Sequence, residues 1–183
     1  MNEVLKCIEE RYSCRDYMDT PLTSEQVEMI ARAAIQAPSA NNQQKWHITM
    51  VTNRDLIEEM DKEALAVMQG MEDQALYQRI VGRGGKVFYD VPCIAFISVE
   101  IDSGHLDCGI VVENMALAAT SLGLGNCICG LAGFSFKGDK AQGFKEKLQF
   151  PAGYEFGMAL LLGTAKESKM AHEPDNSKIS IIK

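Results

Sequence analysis

Basic residues are scarce in this chain: 18 Lys and Arg stand against 25 Asp and Glu, for a net charge of −7. That balance argues against a general role on nucleic acid or on an anionic membrane, although a local basic cluster would still be informative. Long apolar runs are missing as well, and no stretch approaches membrane-spanning length. The first ten residues, Met1 to Glu10, have neither the basic region nor the apolar run of a signal peptide, so a soluble, cytoplasmic protein is expected. Only three histidines occur, His47, His105 and His172, and their spacing suits neither a catalytic triad nor a metal site. The six cysteines, Cys7, Cys14, Cys93, Cys108, Cys127 and Cys129, are scattered rather than framed, as expected of reduced thiols in a cytosolic protein. Cys127 and Cys129 stand too close for a usual zinc half-site and have no matching half, so no metal is expected. Two glycine-rich runs also fail as nucleotide loops. Gly82 to Lys86 has the wrong spacing, with Val87 where a magnesium-binding hydroxyl would be needed, and Gly123 to Gly130 misses the dinucleotide register.

What is present is enough for one domain: 183 residues, 46% of them apolar. Val4, Leu5 and Ile8 predict a short helix near 2–10 with one buried edge. Thr23 and Gln26 read as a capping box for a helix carrying Val27, Ile30, Ala31, Ala34 and Ile35. Alternation from Trp46 predicts a half-buried strand, and Asn53 caps a helix with the apolar face Leu56, Ile57, Met60, Ala64, Val67 and Met68, ending near Gly70. Residues 71–90 have no clear period and read as a mobile connection or lid. The run Val91 to Val99 predicts a central strand, with Pro92 at its entrance. Asp107 to Leu122 predicts a helix buried on both sides, either inside one domain or between subunits. A short core strand near 127, a surface helix over 139–149, a last strand from Phe156 to Leu162 and a polar tail follow. Strands interspersed with helices without strict alternation predict an α+β fold, a sheet covered by helices, in a single domain over 1–183.

Two polar constellations stand out. Arg11, Ser13 and Arg15 alternate, so an extended backbone points all three side chains the same way, and two guanidiniums with a hydroxyl match a phosphate. The competing reading is a pair of surface arginines bonded to Asp16 or Asp19. The second constellation is Ala37 to Trp46, at a helix-to-strand corner, where Ser39, Asn41, Asn42, Gln43 and Gln44 offer many donors and acceptors and little charge. That inventory suits a neutral partner such as a sugar alcohol or the edge of a heteroaromatic ring, or else it is an ordinary polar loop.

Taken together and in order, these residues resemble the nitroreductase family of FMN-dependent oxidoreductases. Arg11-Tyr12-Ser13-Cys14-Arg15, followed by Asp19-Thr20-Pro21, is similar to its phosphate motif. Pro38, Ser39, Asn42, Gln44 and Trp46 match its Ala-Pro-Ser-x-x-Asn-x-Gln-Pro-Trp signature, with Lys45 replacing the usual proline. Asp107-Cys108-Gly109, Glu113-Asn114-Met115 and Leu122-Gly123-Leu124-Gly125 are similar to its dimer helix and glycine turn. The chain is short for the family and has no obvious long lid.

The resemblance implies a nitroreductase-like fold, a mostly antiparallel central sheet flanked by helices and completed by dimerisation. It implies FMN as cofactor and NAD(P)H as co-substrate, with Arg11, Tyr12, Ser13 and Arg15 at the phosphate and ribityl end. Pro38, Ser39, Ala40, Asn42 and Gln44 would come from the partner subunit of a homodimer. Ile128, Cys129, Gly130 and Leu131 would offer backbone N–H groups near flavin N5, and Lys169 is the candidate for a basic tail residue completing the phosphate site. No side chain is expected to act as a nucleophile or essential acid; the flavin carries the chemistry in a ping-pong cycle ending on a small electron-poor acceptor, a nitroaromatic or a quinone. The alternative is a flavin-binding redox or storage module without physiological NAD(P)H turnover. A thiol mechanism through Cys127 and Cys129 ranks below both, the two side chains being expected on opposite faces of a strand.

Overall fold

Three helices start on side chains that occupy the free amides of their first turn. Asn2 accepts the Leu5 N–H at α1 (Glu3–Glu10), Asn53 accepts that of Leu56 at α3 (Arg54–Gln69), and Thr23 and Gln26 close the reciprocal capping box of α2 (Ser24–Ile35). The computed structural model describes residues 2–103 and 105–183. Its other helices are α4 (Ala75–Val81), α5 (Leu106–Ser121) and α6 (Ala141–Lys147). The strands β1 (Trp46–Val51), β2 (Cys93–Glu100), β3 (Gly125–Ile128) and β4 (Tyr154–Gly163) form one sheet in the order β1-β2-β4-β3, with every neighbouring pair antiparallel. Among the described residues no helix is long and apolar enough to cross a membrane.

The continuous apolar run of β2 follows from burial on both faces. Ile94 and Phe96, with Ala159 and Leu161 of β4, pack on Met60, Ala64 and Met68 of α3 and Phe144 of α6. Cys93, Ala95 and Ile97, with Leu160 and Leu162, pack on Ile30 and Ala34 of α2 and Val111, Met115 and Ala119 of α5. Each large side chain so enclosed contributes roughly 1.5–3 kcal/mol. The helix α5 is therefore apolar nearly all round because the sheet takes one side while α1 and α2 rest on others.

Residues 71–90 are not a loose lid. They contain α4, and Ile80, Val87 and Phe88 are buried against α3. The Phe88 N–H donates to Oδ1 of Asp61 at 2.6 Å, a carboxylate that is itself buried. These apolar anchors are separated by glycines and charges, Gly84 and Gly85 both having positive φ, so the sequence there shows no period. A second correction concerns the thiols. Cys127 and Cys129 lie in the same core cluster, because positions two apart on a strand share a face.

The segment after α1 is tied to the β3 edge. Ser13 bridges Asn126 in parallel, the Cys14 N–H donates to Asn126 O at 2.8 Å, and Tyr17 bridges Ala165 beyond β4. Gly125 permits this approach, since a Cβ there would stand 2.9 Å from Cys14 Sγ and 3.1 Å from Ala165 Cβ.

Candidate functional site

Arg11, Ser13 and Arg15 leave α1 on the extended segment just described, which Ser13 and Cys14 tie alongside β3. Burial pushes the Cys127 thiol up, against the pull of the Arg15 guanidinium, a Ser13 hydrogen bond and the Arg11 guanidinium. The carboxylates that could have neutralised the arginines are engaged elsewhere: Asp16 pairs with Lys166 at 2.8 Å, and Asp19 pairs with Arg54. Among the described residues neither Arg11 nor Arg15 joins an ion pair. Two guanidiniums on one extended segment, neither in an ion pair, are a candidate donor set for an anion with several acceptor oxygens.

Tyr12 reaches the tail. Its hydroxyl donates to Glu167 O at 3.0 Å, and a groove of about 660 Å³ opens beside it between Gly125, Thr164 and Lys169. Lys169 and Tyr12 thus share a groove whose lining includes none of Arg11, Ser13 and Arg15.

The turn after β3 offers fewer free amides than its sequence suggested. The Cys129 N–H donates to Ala159 O at 2.8 Å, completing the sheet. Burial drives the Cys129 thiol up to about 12, partly offset by hydrogen bonds from the Ala132 and Leu131 amides. Of Ile128, Cys129, Gly130 and Leu131, only Gly130, at the head of the 3-10 turn Gly130–Phe136, is exposed.

The corner before β1 is braced from within. Ser39 Oγ accepts the Gln44 N–H at 2.9 Å, and the Gln44 side-chain amide donates to Asn42 Oδ1 at 2.9 Å. Asn41, Asn42 and Gln44 adopt φ of 52°, 54° and 50°, the left-handed region that non-glycine residues enter only when their surroundings hold them there. Asp107, at the start of α5, supplies one such hold by accepting the Ala40 N–H at 3.3 Å, and Lys45 supplies another through Glu100 at 2.6 Å. Sequence reasoning missed both as supports of the corner. Pro38, Ala40, Asn42 and Gln44 are exposed and Ser39 is half-buried.

One chain does not bring the two constellations together. The corner precedes β1 at one edge of the sheet, whereas Ser13 sits on β3 at the other. Trp46 is also level with Glu155, and Asn126 with Leu162, at opposite ends of β4. Strand spacing and rise then separate Trp46 from Asn126 by roughly 25 Å.

The comparisons with known proteins agree with this architecture. The crystal structure of a nitroreductase with bound FMN from Desulfitobacterium hafniense DCB-2 superposes with a TM-score of 0.97, at 46% identity and with 100% of each chain covered. A nitroreductase with bound FMN from Bacteroides fragilis NCTC 9343 gives a TM-score of 0.89 at 26% identity, again over 100% of both chains. An Archaeoglobus fulgidus protein, provisionally named NADH dehydrogenase/NAD(P)H nitroreductase, is 31% identical over 176 residues, 96% of this chain and 93% of its own. A sequence profile described as the Nitroreductase family matches residues 8–164, and with the sheet, the arginine segment and the polar corner in place, the chain belongs to the nitroreductase family.

Proposed function

We propose that two copies of this chain enclose FMN and transfer hydride from NADH or NADPH to an electron-poor small molecule, a nitroaromatic or a quinone, in two alternating half-reactions. The observation that supports this reading is the pair of guanidiniums without an ion pair, Arg11 and Arg15, on the segment that Ser13 ties to the β3 edge. The FMN bound by the Desulfitobacterium and Bacteroides relatives supports the choice of anion.

Arg11, Ser13 and Arg15 hold the phosphate and ribityl end, and Tyr12 ties down the tail, with Lys169 in the neighbouring groove. When bound, FMN supplies hydride acceptance and donation at N5. Gly130 offers a backbone amide at the turn after β3. Pro38, Ser39, Ala40, Asn42 and Gln44 of a second copy line the other side, which accounts for their distance from Arg11 within one chain. The exposed apolar side chains Val4, Leu5 and Ile8 on α1, and Leu106 at the head of α5, support burial against that copy. No side chain acts as a nucleophile; burial pushes the Cys127 and Cys129 thiols up, toward the protonated form.

The deciding experiment is the absorbance spectrum of the purified protein under anaerobic conditions, before and after each nicotinamide and then after a nitro or quinone acceptor. A yellow protein, bleached by NADH or NADPH and recoloured by the acceptor, is expected. Colourless protein that takes up no added FMN refutes the reading.

A further inference from the structure

Behind the arginine segment, two buried polar atoms face the same space. Arg11 Nη1 and Asn126 Oδ1 are both shielded from solvent, and neither has a hydrogen-bond partner among the described residues. The orientation of the Asn126 amide is fixed, because its Nδ2 donates to Ala116 O at 3.2 Å and to Thr120 Oγ1 at 3.0 Å. Its oxygen is therefore left over as an acceptor. Both residues border a small cavity of about 30 Å³, closed further by Tyr12, Thr120 and Leu124 and flanked by Glu10.

A buried guanidinium N–H and a buried amide oxygen without partners are each expensive, and native proteins rarely leave such groups unpaired. One water needs roughly 10–15 Å³ of such space and polar partners to bind there. The donor and the acceptor are complementary, and the cavity is large enough. We propose that a single buried water bridges Arg11 Nη1 to Asn126 Oδ1, making Asn126 the residue that positions the Arg11 guanidinium for its anion. The bridge fixes the guanidinium plane from behind, so its remaining N–H groups point at the phosphate without reordering on binding. Asn126 is thus a positioning residue, separated from the ligand by the water and the Arg11 guanidinium. This inference rests on Arg11 holding the FMN phosphate.

The full-length chain, titrated with FMN and with riboflavin by flavin fluorescence, tests it. Arg11→Ala is expected to weaken FMN and leave riboflavin, which has no phosphate, nearly unchanged. Asn126→Asp puts a carboxylate where the amide oxygen stood, drawing the guanidinium back and partly neutralising it. Because it also replaces the Nδ2 donor to Ala116 O and Thr120 Oγ1, its fold is first matched to wild type by circular dichroism. FMN affinity is then expected to fall about tenfold at neutral pH, with riboflavin little changed and with recovery as pH drops through the new carboxyl's titration. A merely structural Asn126 would weaken both flavins equally and show no such pH profile, and that result overturns the proposal. So does unchanged FMN affinity in Asn126→Asp while Arg11→Ala loses FMN selectively. If Arg11→Ala weakens neither flavin selectively, the phosphate assignment itself fails, and the positioning role with it. A crystal structure of the wild-type protein is an independent check, with one solvent peak within hydrogen-bond distance of both atoms expected and an empty cavity overturning the bridge.

Discussion

Asp61 organises a stretch of chain that shows no pattern of its own. Its carboxylate accepts the Phe88 N–H in the space between α3 and the segment leading into β2, and without it that amide would be buried unpaired. Asp61→Ala is expected to destabilise the protein by about 1–3 kcal/mol, whereas Asp61→Asn, which keeps an acceptor, costs less; urea unfolding distinguishes them. The pH dependence has a definite sign. Burial holds the Asp61 carboxyl above its usual range, against the Phe88 hydrogen bond and the attraction of Lys86. The folded chain therefore binds this proton more tightly than the unfolded one. Wild type should gain stability relative to Asp61→Asn as pH falls from neutral through the folded value, levelling off below the ordinary aspartate pKa of about 3.9. The alternation of Arg11, Ser13 and Arg15 is a local property and was legible in the sequence. Their supports were not: that Asn126 stands behind Arg11 depends on a bridge between segments more than a hundred residues apart. Replacing Arg11 and Arg15 together by Ala should yield colourless protein, measured as the ratio of flavin to protein absorbance.

Among the elements, those with a local signal were readable and those fixed by packing were not. The capping box of α2, the Asn53 cap of α3 and the apolar run of β2 are written in neighbouring residues. By contrast α4 is short and its N-cap residue Gln74 makes no capping hydrogen bond, and the left-handed residues of the polar corner owe their conformation to contacts with one another and with Asp107. Two substitutions separate helix stability from docking. Thr23→Ala removes one cap and should cost about 1 kcal/mol, lowering the melting temperature while leaving flavin affinity nearly intact. Gly125→Ala forces a methyl group against Cys14 and Ala165, where 2.9–3.1 Å is available. It should cost about 1–3 kcal/mol and also shift the Ser13 segment, so flavin affinity falls along with the melting temperature.

For the whole molecule, the sheet and its two helical layers followed from patterning, and the assembly follows from what those layers leave uncovered. The α1 face carrying Val4, Leu5 and Ile8 is 50–62% exposed, which suits a surface buried by a second copy. Leu5→Lys with Ile8→Lys should give a monomer by sedimentation and, on the two-copy reading, should lose flavin without losing the fold as judged by circular dichroism. The roughly 25 Å between the arginine segment and the polar corner of one chain has a genetic corollary. A polypeptide damaged only in its arginines and another damaged only in its corner would each be inactive alone. Mixed into hybrids, they would pool both lesions in one pocket and leave the other whole, so activity should reappear by complementation.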